Sequence, residues 1–179
     1  MENYTPVVQN TDEQDRGALQ TMRRFLGLEH FGWKLTAILM LICSILMTLS
    51  SLILMTVGVS AASGVEFNEE VPTIINETTP LILTSVMGGT YLATALLVMV
   101  PICVINFIMM KKVEYYESTL DTDVSIARKR CTSVGMIVFC VLFSNVAAIF
   151  YIINFVKTKN NAAAFDRLEA AQQPSYSTR

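Results

Sequence analysis

Three stretches without a charged side chain, over residues 35–65, 78–110 and 131–156, interrupt an otherwise mixed pattern of polar and apolar positions. At about 1.5 Å per helical residue, roughly 20 residues cross the ~30 Å apolar core of a bilayer, and each stretch exceeds that length. The pattern predicts an all-α integral membrane protein, a small bundle of three transmembrane helices with spans near 35–62, 80–110 and 131–156. Residues 1–34 then make a cytosolic head and residues 157–179 a flexible tail. Neither is long enough to bury an independent core.

Each stretch carries its own punctuation. The first begins at the pair Trp33 and Lys34, suited to a membrane boundary, and is diluted by Thr36, Ser44, Thr48 and Ser51, whose hydroxyls can bond back to the preceding turn. In the second, Pro80 suits a first helical position, and Pro101 removes a donor and should kink the helix. Between them Ser85, Gly89 and Ala93 recur every fourth residue, a small-residue stripe that lets another helix approach closely. The third places Asn145 near its middle, where an amide needs a partner inside a bundle. Ser85, Gly89, Ala93 and Asn145 are therefore the candidate helix contacts.

Cations set the orientation. Arg23, Arg24 and Lys34 precede the first stretch, and Lys111, Lys112, Arg128, Lys129 and Arg130 lie between the second and third. The loop between the first two stretches has only Glu66, Glu69, Glu70 and Glu77. Cytosolic loops are enriched in Lys and Arg, which puts the head and second loop inside and the acidic loop outside. Three spans then place the tail outside, yet Lys157 and Lys159 follow the third stretch directly. The alternative that removes this conflict is two spans plus a re-entrant hairpin, in which 131–156 folds about Ser144 and Asn145 and both termini are cytosolic. Its cost is irregular backbone at membrane depth unless protein covers it.

In the head, Leu19, Met22, Phe25, Leu26 and Phe31 fall near one helical face, which predicts either a helix lying on the membrane or an extension of the first span. Composition agrees with the segment pattern: 53% of the residues are hydrophobic, and the mean hydropathy is +0.48. The net charge of −2 adds nothing about partners.

Candidate modification and sorting signals are short. Asn76, Glu77 and Thr78 form a glycosylation sequon in the loop assigned outside, and Asn3, Tyr4 and Thr5 form another in the head. Tyr4 through Val7 matches a tyrosine-based sorting signal. Cys131, beside Arg128, Lys129 and Arg130, is the palmitoylation candidate. The lone His30 has no ligand-spaced companions, and no phosphate loop or nucleophile elbow is present. No catalytic, cofactor-binding or metal residue is therefore expected, and the chain reads as a non-enzyme.

The function these features favour is a multipass accessory protein that associates laterally with another membrane protein, or with itself, to aid trafficking, assembly or placement. Its expected partners are membrane lipid and membrane protein, with no nucleic acid, and its expected site is the plasma membrane or a secretory-pathway vesicle membrane. A surface recognition factor in cell–cell contact, acting through the acidic loop, is the first alternative. A small oligomeric pore lined by the hydroxyls of the first span is the second.

Overall fold

A computed structural model describes residues 7–63 and 78–172. Among the described residues every element is helical. The helices are α1 (Val7–Ser63), α2 (Thr78–Thr94), α3 (Val100–Thr119), α4 (Val124–Cys131), α5 (Val134–Phe143), α6 (Asn145–Asn160) and α7 (Ala162–Gln172), with a π turn, Ala95–Met99, joining α2 to α3. Asn76, Tyr4 and the acidic loop lie outside the described residues, and Val7 opens α1.

Among the described residues two helices are long and apolar enough to cross a membrane, Thr11–Val57 and Thr84–Thr119. The third uncharged stretch is not one helix. Ser144 adopts an extended conformation (φ −157°, ψ 94°) and ends α5 after 10 residues, well short of a span. Its backbone N–H still bonds the Cys140 carbonyl, while its hydroxyl accepts from the Ala147 N–H and caps α6. A serine that closes one helix and opens the next reverses the chain, and α6 runs back along α5. The Tyr151 hydroxyl reaches the Ser133 carbonyl (2.8 Å), and the Asn154 amide donates to the Cys131 sulfur (3.4 Å). Residues 134–160 thus form a helical hairpin that bends at Ser144.

The chain divides into two compact units. The described residues of Ala37–Val104 make one, and those of Met1–Thr36 and Ile105–Arg179 the other.

In the first unit the outgoing part of α1 pairs antiparallel with α2 and the start of α3. The Ser51 hydroxyl donates to the Gly88 carbonyl (2.7 Å), and the Cys103 thiol donates to the Ala37 carbonyl (3.4 Å). Between these two contacts the α2–α3 side takes one residue more than α1, and the π turn accommodates it. Its cause lies next door in Pro101, which cannot donate and whose ring would strike the carbonyl four residues back. The Val100 N–H accordingly bonds Ala95, five residues back. Sequence predicts a kink at Pro101; the relief takes the form of this π turn.

In the second unit the head is no separate surface helix. α1 is continuous from Val7, and Ala18, Met22, Leu26, Glu29 and Trp33 form a buried stripe three or four residues apart. Trp33 is fully buried, so it is a core residue and not a boundary anchor. The core continues through Val113, Leu120, Val124, Ala127, Tyr151 and Phe165. α4 starts on a capping Asp123, whose carboxylate accepts from the Ser125 N–H (3.0 Å), and the side chain of Gln172 in α7 accepts from the Val124 N–H (2.7 Å).

Candidate functional site

The most unusual group in the second unit is a charge on an apolar stripe. Glu29 follows Met22 and Leu26 on the inward face of α1, where its side chain has no solvent exposure. Arg130, in the last turn of α4, meets it with both terminal nitrogens: Nη1 donates to Oε2 at 2.9 Å, and Nη2 donates to Oε1 in a still closer contact. The Trp33 indole N–H also donates to Oε1 (3.0 Å). Burial alone would lower the Arg130 pKa, but the Glu29 charge and its hydrogen bonds outweigh it, so the net direction is upward. The guanidinium lies 5.0 Å from the centroid of the Tyr116 ring and 5.5 Å from that of Tyr151. This arrangement holds four elements, α1, α3, α4 and α6, around one bidentate pair.

One donor is left over. Arg130 Nε is buried and has no hydrogen-bond partner among the described residues. Other parts of the Arg130 residue line a cavity of about 510 Å³, together with Lys112, Tyr116, Lys129 and Ser133. Ser133 precedes α5, yet its side chain makes no capping bond, so the N-terminal end of that helix abuts the cavity with its first-turn N–H groups uncapped by Ser133.

The residues singled out in sequence are distributed differently. Ser85 and Ala93 are exposed and Gly89 is half-buried; an added Cβ at Gly89 would meet nothing within 4 Å among the described residues. The close approach between α1 and α2 uses Gly88 instead, where a Cβ would stand 3.3 Å from the Ser51 carbonyl. Within the unit the stripe Ser85, Gly89 and Ala93 therefore faces away from the helix pair.

Asn145 does not fill the interior role expected of it. It is exposed, while Ser144 beside it is buried and bonds the Thr36 hydroxyl (2.7 Å). Among the described residues the buried amides are Asn106, which donates to the Phe143 carbonyl (3.2 Å), and Asn154. Cys131 is fully buried with Asn154 on its sulfur, so its thiol is not placed for acylation. Cys43 is the exposed thiol among the described cysteines. Sequence reasoning missed Glu29 and Arg130, although one signal pointed to the first: a carboxylate at helical spacing on a stripe that otherwise reads Ala18, Met22, Leu26, Trp33.

Among the described residues no group of three His, Cys, Asp or Glu side chains comes together. No family model matches the chain, and no curated protein or solved structure matches it.

Proposed function

We propose that the chain is a two-span membrane protein with both termini in the cytosol, and that it acts as a non-enzymatic accessory by packing laterally against another membrane protein or a second copy. The topology is supported by ion pairs that join distant parts of one unit. Arg167 of α7 holds Asp15 of the head, and Arg128 of α4 holds Asp166 and Glu169 of α7, so head, second loop and tail share one side. The α5–α6 hairpin turns at Ser144 against Thr36, the second residue of the first uncharged stretch. In this reading the hairpin dips only to the edge of the bilayer, where protein covers its irregular turn. Lys157 and Lys159 then fall on the same side as the other cations.

The observation that carries the lateral role is the outward small-residue stripe Ser85, Gly89 and Ala93, on an apolar helix whose close intramolecular contact uses the neighbouring Gly88. A transmembrane helix is the occupant such a face fits, and trafficking, assembly or placement of that partner in the plasma membrane or a secretory-pathway vesicle is the role. Proteins recovered with the full-length chain from native membranes in mild detergent, and crosslinking between two differently tagged copies, provide the test. Gly89→Leu should reduce recovery of a specific membrane partner or of the second copy severalfold, while Leu92→Ile should leave it unchanged. Equal recovery with both variants would remove the stripe as an interface.

A further inference from the structure

We propose that the outward face of the α5–α6 hairpin is a lipid-contact surface, seated among the acyl chains of the cytosolic leaflet. The hairpin is amphipathic in the inverted sense. Its polar side chains Ser144, Tyr151 and Asn154 are buried, where they bond the Ala147 N–H, the Ser133 carbonyl and the Cys131 sulfur. Outward, Leu142 is 71% exposed, Val134 63% and Val138 57%, four residues apart along α5, and Ile149, Ile153 and Val156 form the matching face of α6. Apart from Gly135, and Asn145 at the bend, every exposed residue between Val134 and Val156 is Val, Leu or Ile. A helix pair standing in water turns its polar side outward, and this one turns it inward.

The make-up of the face selects lipid over protein. Protein interfaces centre on aromatic, methionine and arginine side chains, and the exposed residues here include none. The rings of Phe139, Phe143 and Phe155 pack against the core instead. Charge placement agrees. No charged residue lies between Cys131 and Val156, and the exposed Lys129, Lys157 and Lys159 lie at the open end of the hairpin, away from the bend, where headgroup phosphates would meet them. The 10 residues of α5 reach about 15 Å, half of a ~30 Å apolar core, so the hairpin meets one leaflet and does not cross. The third uncharged stretch is then a membrane-contacting segment without being a span. This proposal rests on the two-span reading above, which sets the hairpin at the cytosolic edge of the bilayer.

The test uses the full-length protein in vesicles of phosphatidylcholine and phosphatidylglycerol, with the exposed Cys43 replaced by serine; Cys103, Cys131 and Cys140 are buried. A nitroxide is attached singly at Val138→Cys and Ile149→Cys on the hairpin, at Leu46→Cys on the first span and at Ala171→Cys on α7, all exposed positions that leave the packing intact. Power-saturation EPR then compares collisions with oxygen, which concentrates in hydrocarbon, and with a water-soluble nickel chelate. The proposal expects oxygen to exceed the chelate severalfold at Val138→Cys and Ile149→Cys, as at Leu46→Cys, and the chelate to dominate at Ala171→Cys. Chelate dominance at the hairpin sites, with oxygen still dominant at Leu46→Cys, overturns the lipid surface and leaves the membrane reading standing. Scarce collisions with both reagents at the hairpin sites also overturn it, because protein, a partner or a second copy, then covers the face. Chelate dominance at Leu46→Cys as well overturns the membrane reading and the proposal together.

Discussion

Removing Glu29 or Arg130 leaves the other charge buried, and a stranded buried ion commonly costs about 3–5 kcal/mol. Glu29→Gln and Arg130→Met should each lower the thermal unfolding midpoint in detergent sharply. The double variant should lose much less than the two single losses combined, because it leaves no unpaired charge. Strict additivity would mean that the pair does not interact. Glycine positions give a second residue-scale test. At Gly32 an added Cβ would stand 2.9 Å from both the Cα and N of Ala147, all of it backbone that cannot swing aside. Gly32→Ala should therefore destabilise by about 1–3 kcal/mol. Gly27 has nothing within 4 Å among the described residues, and Gly27→Ala on the same helix should be neutral or stabilising by up to ~1 kcal/mol through helix propensity alone. Thermal shifts of the two variants in one detergent decide the matter, and equal shifts would refute the close approach of α1 and α6.

Among the elements, the α5–α6 hairpin departs furthest from the hydropathy pattern, and it has a chemical test. Cys131 and Asn154 touch across it. In a single continuous helix the same two residues would be about 35 Å apart, far beyond disulfide reach. Asn154→Cys should form an intramolecular disulfide with Cys131 under mild oxidation, read as a mass loss of two hydrogens and mapped by peptide analysis. Failure to form it, with both thiols still titratable after denaturation, would favour a straight third span. The serine at the bend should matter as well. Ser144→Ala removes both the cap on Ala147 and the bond to Thr36, and a lost N-cap typically costs about 1 kcal/mol. A smaller loss is expected for Asn145→Ala, since that side chain is exposed.

At the scale of the molecule, the proposed topology makes the tail and the second loop share a compartment. Ser118→Cys and Ala171→Cys, both at exposed positions, should resist an impermeant thiol reagent in intact cells and react once the membrane is permeabilised. A cysteine at Glu69, in the acidic loop, should react without permeabilisation. These assays need a background in which the exposed Cys43 is replaced. Labelling of Ala171→Cys from outside would restore a third crossing and end the two-span reading. The ion pairs themselves are a modest part of this arrangement: Arg23–Asp121 and Arg167–Asp15 sit near solvent, where such pairs contribute about 0–1 kcal/mol each. Phe165, fully buried beside the α4 core, holds α7 more firmly than its charges do.

Local pattern determined much of this protein. Helical character, the two helices long enough to cross a membrane, and a backbone disturbance at Pro101 all follow from hydropathy and from the missing proline donor, which act within a few turns of chain. The possible reversal at Ser144 was legible too, because the cations at Lys157 and Lys159 conflict with a third crossing. Only tertiary structure decided that the reversal occurs, since the choice depends on Thr36 and Asn106 receiving the polar groups of the bend from other helices. The same holds for Glu29 and Arg130, 101 positions apart in the chain: each alone reads as an ordinary surface charge, and only their meeting makes either one buried. It also holds for the small-residue stripe, where the register between α1 and α2, set by Ser51 against the Gly88 carbonyl, selected Gly88 for the intramolecular approach and left Gly89 outside it. Periodicity places residues on a face; which face meets which neighbour is settled by contacts between segments far apart in the chain.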